Sequence, residues 1–219
     1  MVLLKYFFIL LLLIKFTLNL NIDDFGTRPN EDSYDAAIIN GKAIFNAINT
    51  ANSGSDRAVV IDGNGGKTYT MIPAGTNHNL VNITIQIDGR VNGFDGDQSK
   101  WPIVPGGTGI AMFSLENTTN LVIKGNGIVD GNGYNWWWTV WLTGYDVRPN
   151  IFDIANGVNT SMEGISVFNA PQYNINLANQ LNCTVQNLLI HVKVSDEDPI
   201  LDWLPTFPLN TDGINLLLT

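Results

Sequence analysis

The chain has 219 residues, 45% of them hydrophobic, which is enough for one domain with a sizeable core. Its net charge is −9 at pH 7, and only two of its 11 Lys and Arg residues lie in the first 20 positions. A chain this acidic is a poor partner for nucleic acid or for an anionic membrane. The single cysteine, Cys183, excludes an internal disulfide framework, and we expect it to be buried beneath a sheet.

Residues 1–20 are typical of a secretory signal peptide, because Lys5 precedes a short apolar run. Lys15 ends this run, which is shorter than the roughly 20 residues that a membrane-spanning helix needs. A signal anchor is the alternative, since no clear small-residue cleavage site follows. Four Asn-x-Ser/Thr sequons fit export and are candidate glycosylation sites: Asn82, Asn117, Asn159 and Asn182. We therefore predict a signal peptide over 1–20, a single domain over 21–219, and a secreted, extracellular glycoprotein.

One amphipathic helix is predicted near the start of the domain, between Asp35 and Asn52. Its apolar residues recur at helical spacing and form one stripe: Ala43, Ile44, Ala47, Ile48 and Ala51. A single helix at the start of a β-rich chain is a natural cap for the first strands and their unpaired edge. No second segment shows a comparable stripe.

From Ala58 onward, Asp-Gly and Asn-Gly pairs separate short apolar runs, as in a chain of strands and turns. Aligning Asn120, Asn159 and Asn182 shows a repeat at intervals of 39 and 23 residues. The same register aligns three further sets: Ile123, Met162 and Val185; Gly125, Gly164 and Asn187; Ile128, Val167 and Ile190. Such a repeat favours stacked rungs of a parallel β-helix with an amide ladder of Asn side chains along one turn. By pattern alone, a β-sandwich remains open.

The segment from Tyr134 to Trp141 contains four Trp residues, which are costly to expose. They either pack a loop onto the flank of the domain or form a platform on which sugars stack.

Near the end of the chain lies Asn210-Thr211-Asp212-Gly213. Together with Arg148-Pro149 before an apolar strand and with Asn169-Ala170-Pro171 between two rungs, it resembles the polygalacturonases of glycoside hydrolase family 28. Ala170 stands where that family usually has Ser. The resemblance implies an all-β, right-handed parallel β-helix with a short N-terminal capping helix. It also favours packing as the role of the Trp residues.

The resemblance implies a secreted enzyme that hydrolyses α-1,4-galacturonosyl bonds of pectin by an inverting acid/base mechanism. The family uses three acids, of which Asp212 would be one, and Asn210 would help to bind substrate. The other two acids form an Asp-Asp pair one rung later, but this chain has Asp-Asp only at Asp23-Asp24. The family's Gly-His-Gly and Arg-Ile-Lys segments are also missing, and we expect His78 to lie in a loop and His191 in a rung.

The chain therefore corresponds to the amino-terminal part of such an enzyme, truncated at its C-terminal end, and we expect it to be inactive alone. The alternative is a non-catalytic β-helix that binds polysaccharide or coats a surface. Neither a cofactor nor a metal is implied. The acidic segment 195–199 is interpreted as a solvated loop, and a calcium-binding loop is the alternative. The expected partner is pectin or polygalacturonate, with no nucleic acid, no membrane after removal of the signal, and a monomeric state. The purified chain should nevertheless aggregate through the apolar segment Ile214–Leu218. Endo or exo action, and homogalacturonan or rhamnogalacturonan as substrate, both stay open.

Overall fold

A computed structural model of the protein describes residues 19–104, 106–193, 208 and 211–218. Its helices are α1 (Tyr34–Ser53) and α2 (Tyr134–Thr143), and a 3₁₀ turn spans Ile22–Phe25. The strands in chain order are β1 (Leu20–Asn21), β2 (Ala58–Ile61), β3 (Thr68–Met71), β4 (Asn77–His78), β5 (Thr84–Ile87), β6 (Arg90–Gly93), β7 (Phe113–Thr119), β8 (Val122–Lys124), β9 (Ile128–Asp130), β10 (Phe152–Glu163), β11 (Ser166–Phe168), β12 (Ile175–Gln186), β13 (Leu189–His191) and β14 (Ile214–Leu217).

The strands form three ladders, and within each ladder the neighbouring strands are parallel. Arm 1 contains β4, β7, the first halves of β10 and β12, and β14. Arm 2 contains β1, β2, β5, β8 and the second halves of β10 and β12. The third ladder, sheet B, has the order β13-β11-β9-β6-β3. Each rung passes from arm 1 through arm 2 to sheet B, so the fold is the expected parallel β-helix rather than a sandwich.

The interior of arm 2 is a continuous stack of aliphatic side chains. Met162 pairs in register with Ile123 on one side and with Val185 on the other, as the aligned repeat predicts. Below them Ile85 pairs with Ile123, and Val59 pairs with Ile85. All of these except Val185 are buried, so each rung covers the apolar side chain of the rung before it.

The predicted register is wrong by one residue on sheet B. Val167 pairs with Ile190 as expected, but its partner in the preceding strand is Val129, whereas Ile128 pairs with Ser166. The turn between Ile123 and Val129 is one residue longer than the turn between Met162 and Val167. Gly125 lies at a φ of 140°, and a Cβ there would lie 2.0 Å from the carbonyl oxygen of Ile87, so this turn requires glycine.

The helix α1 caps one end of the β-helix, as predicted. All five residues of its predicted apolar stripe are buried. Ser33 forms the N-cap, since its side chain accepts a hydrogen bond from the backbone N–H of Ala36 at 3.2 Å. The backbone N–H of Ile72 donates to the carbonyl of Ala37 at 3.0 Å, so α1 lies directly against the chain that leaves β3.

The turn between arm 1 and arm 2 carries the predicted amide ladder. Asn182 donates to Asn159, Asn159 to Asn120, and Asn120 to Asn82, with N–O distances of 2.7–3.2 Å. All four residues have a φ between 54° and 58°. Asn tolerates this left-handed conformation better than other residues with a side chain, which explains why the repeat begins with Asn.

The Trp-rich segment forms the second helix, α2, which the sequence did not predict. Trp136, Trp137 and Trp138 are buried, whereas Trp141 is 49% exposed. The indole N–H of Trp137 donates to the carbonyl of Ala170 at 3.1 Å, and the ring of Trp136 meets Trp101 edge to face. The segment therefore packs onto the flank of the β-helix, as the resemblance favours. Its three consecutive buried Trp residues leave no single apolar stripe, which is why the helix was missed.

The prediction that Cys183 is buried is wrong. Cys183 pairs in register with Thr160, which is buried, yet Cys183 itself is exposed. It occupies an inward position on the last described rung of arm 2, where no described residue lies over it.

Candidate active-site groove

The outer face of arm 1, here called the groove face, carries the polar residues of this part of the molecule. Its strands alternate between buried residues and residues that point away from the core. The outward positions of β7, β10, β12 and β14 are Ser114 and Glu116, Asp153 and Ala155, Asn176 and Ala178, and Asn215 and Leu217. The groove face is thus built from equivalent positions of successive rungs.

Asp212 lies at one end of the groove face, two residues before β14, and is exposed. Its backbone carbonyl accepts hydrogen bonds from the backbone N–H of Asn174 at 3.0 Å and from the Asn174 side chain at 3.2 Å. Asn174 is fully buried and also donates to the carbonyl of Thr211. These bonds fix the backbone of the Thr211–Asp212 segment and leave the Asp212 carboxylate in solvent. Asn210 lies outside the described residues.

Arg148 supports the rung on which Asn174 lies. It is buried, forms an ion pair with Asp146 at 2.7 Å and donates to the carbonyl of Pro171 at 3.0 Å. The hydrogen bond from Arg148 lowers the pKa of Asp146 despite partial burial of the carboxyl group, so the pair stays charged at neutral pH. The Arg-Pro segment identified in the sequence therefore anchors the start of the β12 rung.

Asp153 is the most buried carboxylate on the groove face, and the sequence analysis did not identify it. Its Oδ1 accepts hydrogen bonds from the amides of Asn150 and Asn176, both at 2.8 Å. Asn176 in turn accepts from Asn215 at 2.7 Å, so a polar chain crosses three rungs. Burial raises the pKa of Asp153, although the two amide donors act in the opposite direction. A single polar residue between Phe152 and Ile154 was the only sequence signal.

Glu116 and His78 form a second polar pair on the groove face. Glu116 Oε2 lies 3.1 Å from Nδ1 of His78. His78 belongs to the short strand β4, so the expectation of a loop is wrong, whereas His191 ends β13 as predicted. A cavity of about 280 Å³ opens between these rungs, lined by Thr76, Val104, Ser114, Glu116, Asp153 and Asn176 among others.

Asp153, the most buried carboxylate of the groove face, does not lie beside Asp212. Asp212 is in register with Tyr173 and through it with Asn150, three residues before Asp153. With rungs about 4.8 Å apart and a rise of about 3.3 Å per residue, the Cα atoms of Asp212 and Asp153 are roughly 14 Å apart. Inverting glycosidases hold their two carboxyl groups about 6.5–9.5 Å apart. Asp196, Glu197, Asp198 and Asp202 lie outside the described residues.

The four sequon asparagines are all exposed and have a left-handed φ. Asn82, Asn159 and Asn182 belong to the amide ladder, and Asn117 lies within β7 with a φ of 56°. Within the described ranges, no group of three or more His, Cys, Asp or Glu side chains is arranged to hold a metal ion. No helix of the described part is long and apolar enough to cross a membrane.

Comparison with known proteins identifies one family. The model of glycosyl hydrolases family 28 matches residues 67–218. An exopolygalacturonase of Rhizopus delemar, rpg16, is 25% identical over 149 residues, which cover 68% of this chain and 34% of that protein. Endo-xylogalacturonan hydrolase A of Aspergillus tubingensis is 27% identical over 167 residues, covering 70% of this chain and 37% of the relative. The chain thus spans little more than a third of the length of these relatives.

Solved structures show the same fold. The crystal structure of the Aspergillus tubingensis endo-xylogalacturonan hydrolase matches with a TM-score of 0.64 at 24% identity, covering 81% of this chain and 44% of that one. The polygalacturonase of Erwinia carotovora matches with a TM-score of 0.62 at 18% identity, covering 91% and 54%. The rungs described above are therefore those of a known β-helix architecture.

Proposed function

The chain belongs to glycosyl hydrolases family 28, and from this we propose that it binds pectic polysaccharides and that Asp212 is one of the carboxylates with which an enzyme of this family hydrolyses galacturonosyl bonds. The observation that carries the proposal is the position of Asp212, exposed at the end of the groove face within the part of the chain that matches the family. The exopolygalacturonase and xylogalacturonan hydrolase names of the relatives support pectin as the substrate class.

The chemistry requires two carboxyl groups, one that protonates the leaving oxygen and one that activates water. Asp212 is exposed, and we assign it the role of base toward water. Asn174 orients it by holding the backbone of Thr211 and Asp212. Since Asp153 lies two rungs away from Asp212 and is offset by three residues along the strand, we propose that the 219-residue chain releases no reducing ends by itself. Asn210 remains a proposed substrate ligand.

We further propose that the protein acts outside the cell as a monomeric glycoprotein. The basic and apolar start of the chain and the four exposed sequon positions support this location. Glycosylation at Asn82, Asn117, Asn159 and Asn182 remains a prediction, as does removal of residues 1–20.

Binding and hydrolysis together test the proposal. The chain is immobilised on a sensor surface, so that self-association does not interfere, and exposed to polygalacturonate, to methyl-esterified pectin and to xylan. We expect binding of at least one of the two galacturonans and none of xylan, with no release of reducing ends in solution. The absence of binding to both galacturonans would overturn the proposal. Release of reducing ends that is lost in Asp212→Asn would support the enzymatic role, and would show that residues outside the described ranges supply the second carboxylate.

A second candidate is a non-catalytic β-helix that binds polysaccharide. The separation of Asp212 from Asp153, the most buried carboxylate of the groove face, favours it. In a longer relative, replacing the aspartate that aligns with Asp212 by asparagine separates the two candidates. A catalytic role predicts loss of hydrolysis with an unchanged melting temperature, whereas retained hydrolysis would favour the non-catalytic alternative for this position.

A further inference from the structure

We propose that the cavity on the groove face, between β7 and β12, is a subsite for an uncharged sugar unit, and that Glu116 and Asp153 exclude free uronate carboxylates from it. The inference rests on the proposed function, because it names the form of pectic substrate that this face accepts. The cavity of about 280 Å³ has room for a monosaccharide unit, whose faces would lie against Val104 and Ala155.

The lining of the cavity is acidic. Glu116 and Asp153 line it, and none of the nine Lys and Arg residues beyond position 20 does so. All nine lie within the described residues, and several serve elsewhere. Lys67 bridges Asp23 and Asp62, Arg90 pairs with Asp130, and Arg148 is buried against Asp146. A polyanionic chain would therefore meet two acidic groups here and no Lys or Arg to offset them.

The hydrogen bonds of Asp153 occupy only one of its two carboxylate oxygens. Both amide donors, from Asn150 and Asn176, end on Oδ1. This arrangement fixes the carboxyl group in one orientation and leaves Oδ2 to accept a hydrogen bond from a sugar hydroxyl. The hydroxyls of Thr76 and Ser114 also line the cavity and lie 2.9 Å apart, and they can bind hydroxyl groups of the sugar. The lining is thus suited to the hydroxyls of a sugar and unsuited to its carboxylate.

Among the described residues of the groove face, His78 is a group that can carry positive charge. His78 belongs to β4, and its Nδ1 lies 3.1 Å from Oε2 of Glu116. Its side chain does not line the cavity. It therefore holds the Glu116 side chain, while Asp153 keeps no cationic partner among the described residues. A galacturonate unit whose carboxyl group is esterified avoids the repulsion and keeps its ring hydroxyls.

The experiment compares polygalacturonate with the same polymer after full methyl esterification, which removes the carboxylate charge and leaves the ring hydroxyls unchanged. Dissociation constants are measured on the immobilised chain at low ionic strength for the wild type, Glu116→Gln and Asp153→Asn. We expect the wild type to prefer the esterified polymer. Each variant should tighten binding of polygalacturonate by about three- to tenfold, which is the effect of removing one like charge near the surface. Binding of the esterified polymer should change less.

Glu163→Gln is the matched control, because Glu163 is an exposed carboxylate on arm 2 and accepts a hydrogen bond from Gln186 at 2.7 Å. It should leave the preference unchanged. Melting curves verify that each variant is folded, and Glu116→Gln provides the test if Asp153→Asn loses stability. A wild type that prefers free polygalacturonate, or a preference that neither groove variant alters, would overturn the inference while leaving the proposed function intact. Failure to bind either polymer would overturn both.

Discussion

The two ends of the described β-helix differ in how their inward-facing side chains are covered. At the capped end, α1 lies over the first rungs, and inward residues such as Val59 and Ile85 are fully buried. At the open end, formed by the second half of β12 and by β13 and β14, equivalent residues are partly or fully exposed. Met162 and Val185 are partners in one ladder, yet only Met162 is completely buried. Burial in this fold thus depends on the next rung or a cap as much as on the residue itself.

The largest expected effect concerns the middle of the stack. Met162→Ala should lower the free energy of unfolding by about 2 to 5 kcal/mol, because it opens a cavity between two covering rungs. Val185→Ala, at the same inward position of the open end, should cost less than about 1 kcal/mol because its side chain is already partly solvated. Urea unfolding of both variants tests the comparison. Equal losses of unfolding free energy in the two variants would contradict the view that the covering rung determines how much an inward side chain stabilises the fold.

A second prediction addresses the cap. Gly41 is buried in α1, and a Cβ at this position would lie 1.7 Å from the carbonyl oxygen of Ile72. Gly41→Ala should therefore displace α1 and lower the free energy of unfolding by about 1 to 3 kcal/mol, even though Ala is the better helix former. The exposed neighbour Lys42 supplies the control, since Lys42→Ala should change stability by no more than about 0.5 kcal/mol. Stabilisation by Gly41→Ala would show that α1 does not lie tightly against the chain after β3.

The smallest effect on stability, and the largest on solubility, is expected at the open end. Leu216 is 69% exposed on β14, beside other apolar residues that line a cavity of about 410 Å³. Leu216→Lys should leave the melting temperature almost unchanged and reduce aggregation, because a charge on an exposed strand opposes pairing with another chain. Light scattering at increasing protein concentration measures this. A wild type that stays monodisperse would contradict the expected aggregation, and a variant that aggregates equally would place the contact elsewhere.

The candidate site was only partly accessible to sequence reasoning. Asp212 was identified through the segment around it, and the structure describes it as exposed beside β14. Asp153 was missed because one of its two hydrogen-bond partners is distant in the sequence. Asn150 is three residues away, whereas Asn176 is 23 residues away and becomes a neighbour only when two rungs stack. The contacts of such a groove residue come from neighbouring rungs, so the sequence of its own strand gives little indication of its role.

The sequence alone determined the elements whose signal is local or recurs at equivalent positions of successive rungs. The stripe of α1 follows from helical spacing, and the ladder of Asn120, Asn159 and Asn182 follows from a repeat that also aligns the buried stack. Only the tertiary structure decided the one-residue offset at Ile128, the helical state of the Trp-rich segment and the exposure of Cys183. The physical reason is the same in each case. Turn length, flank packing and burial depend on what the neighbouring rung provides, and that contact joins residues far apart in the chain.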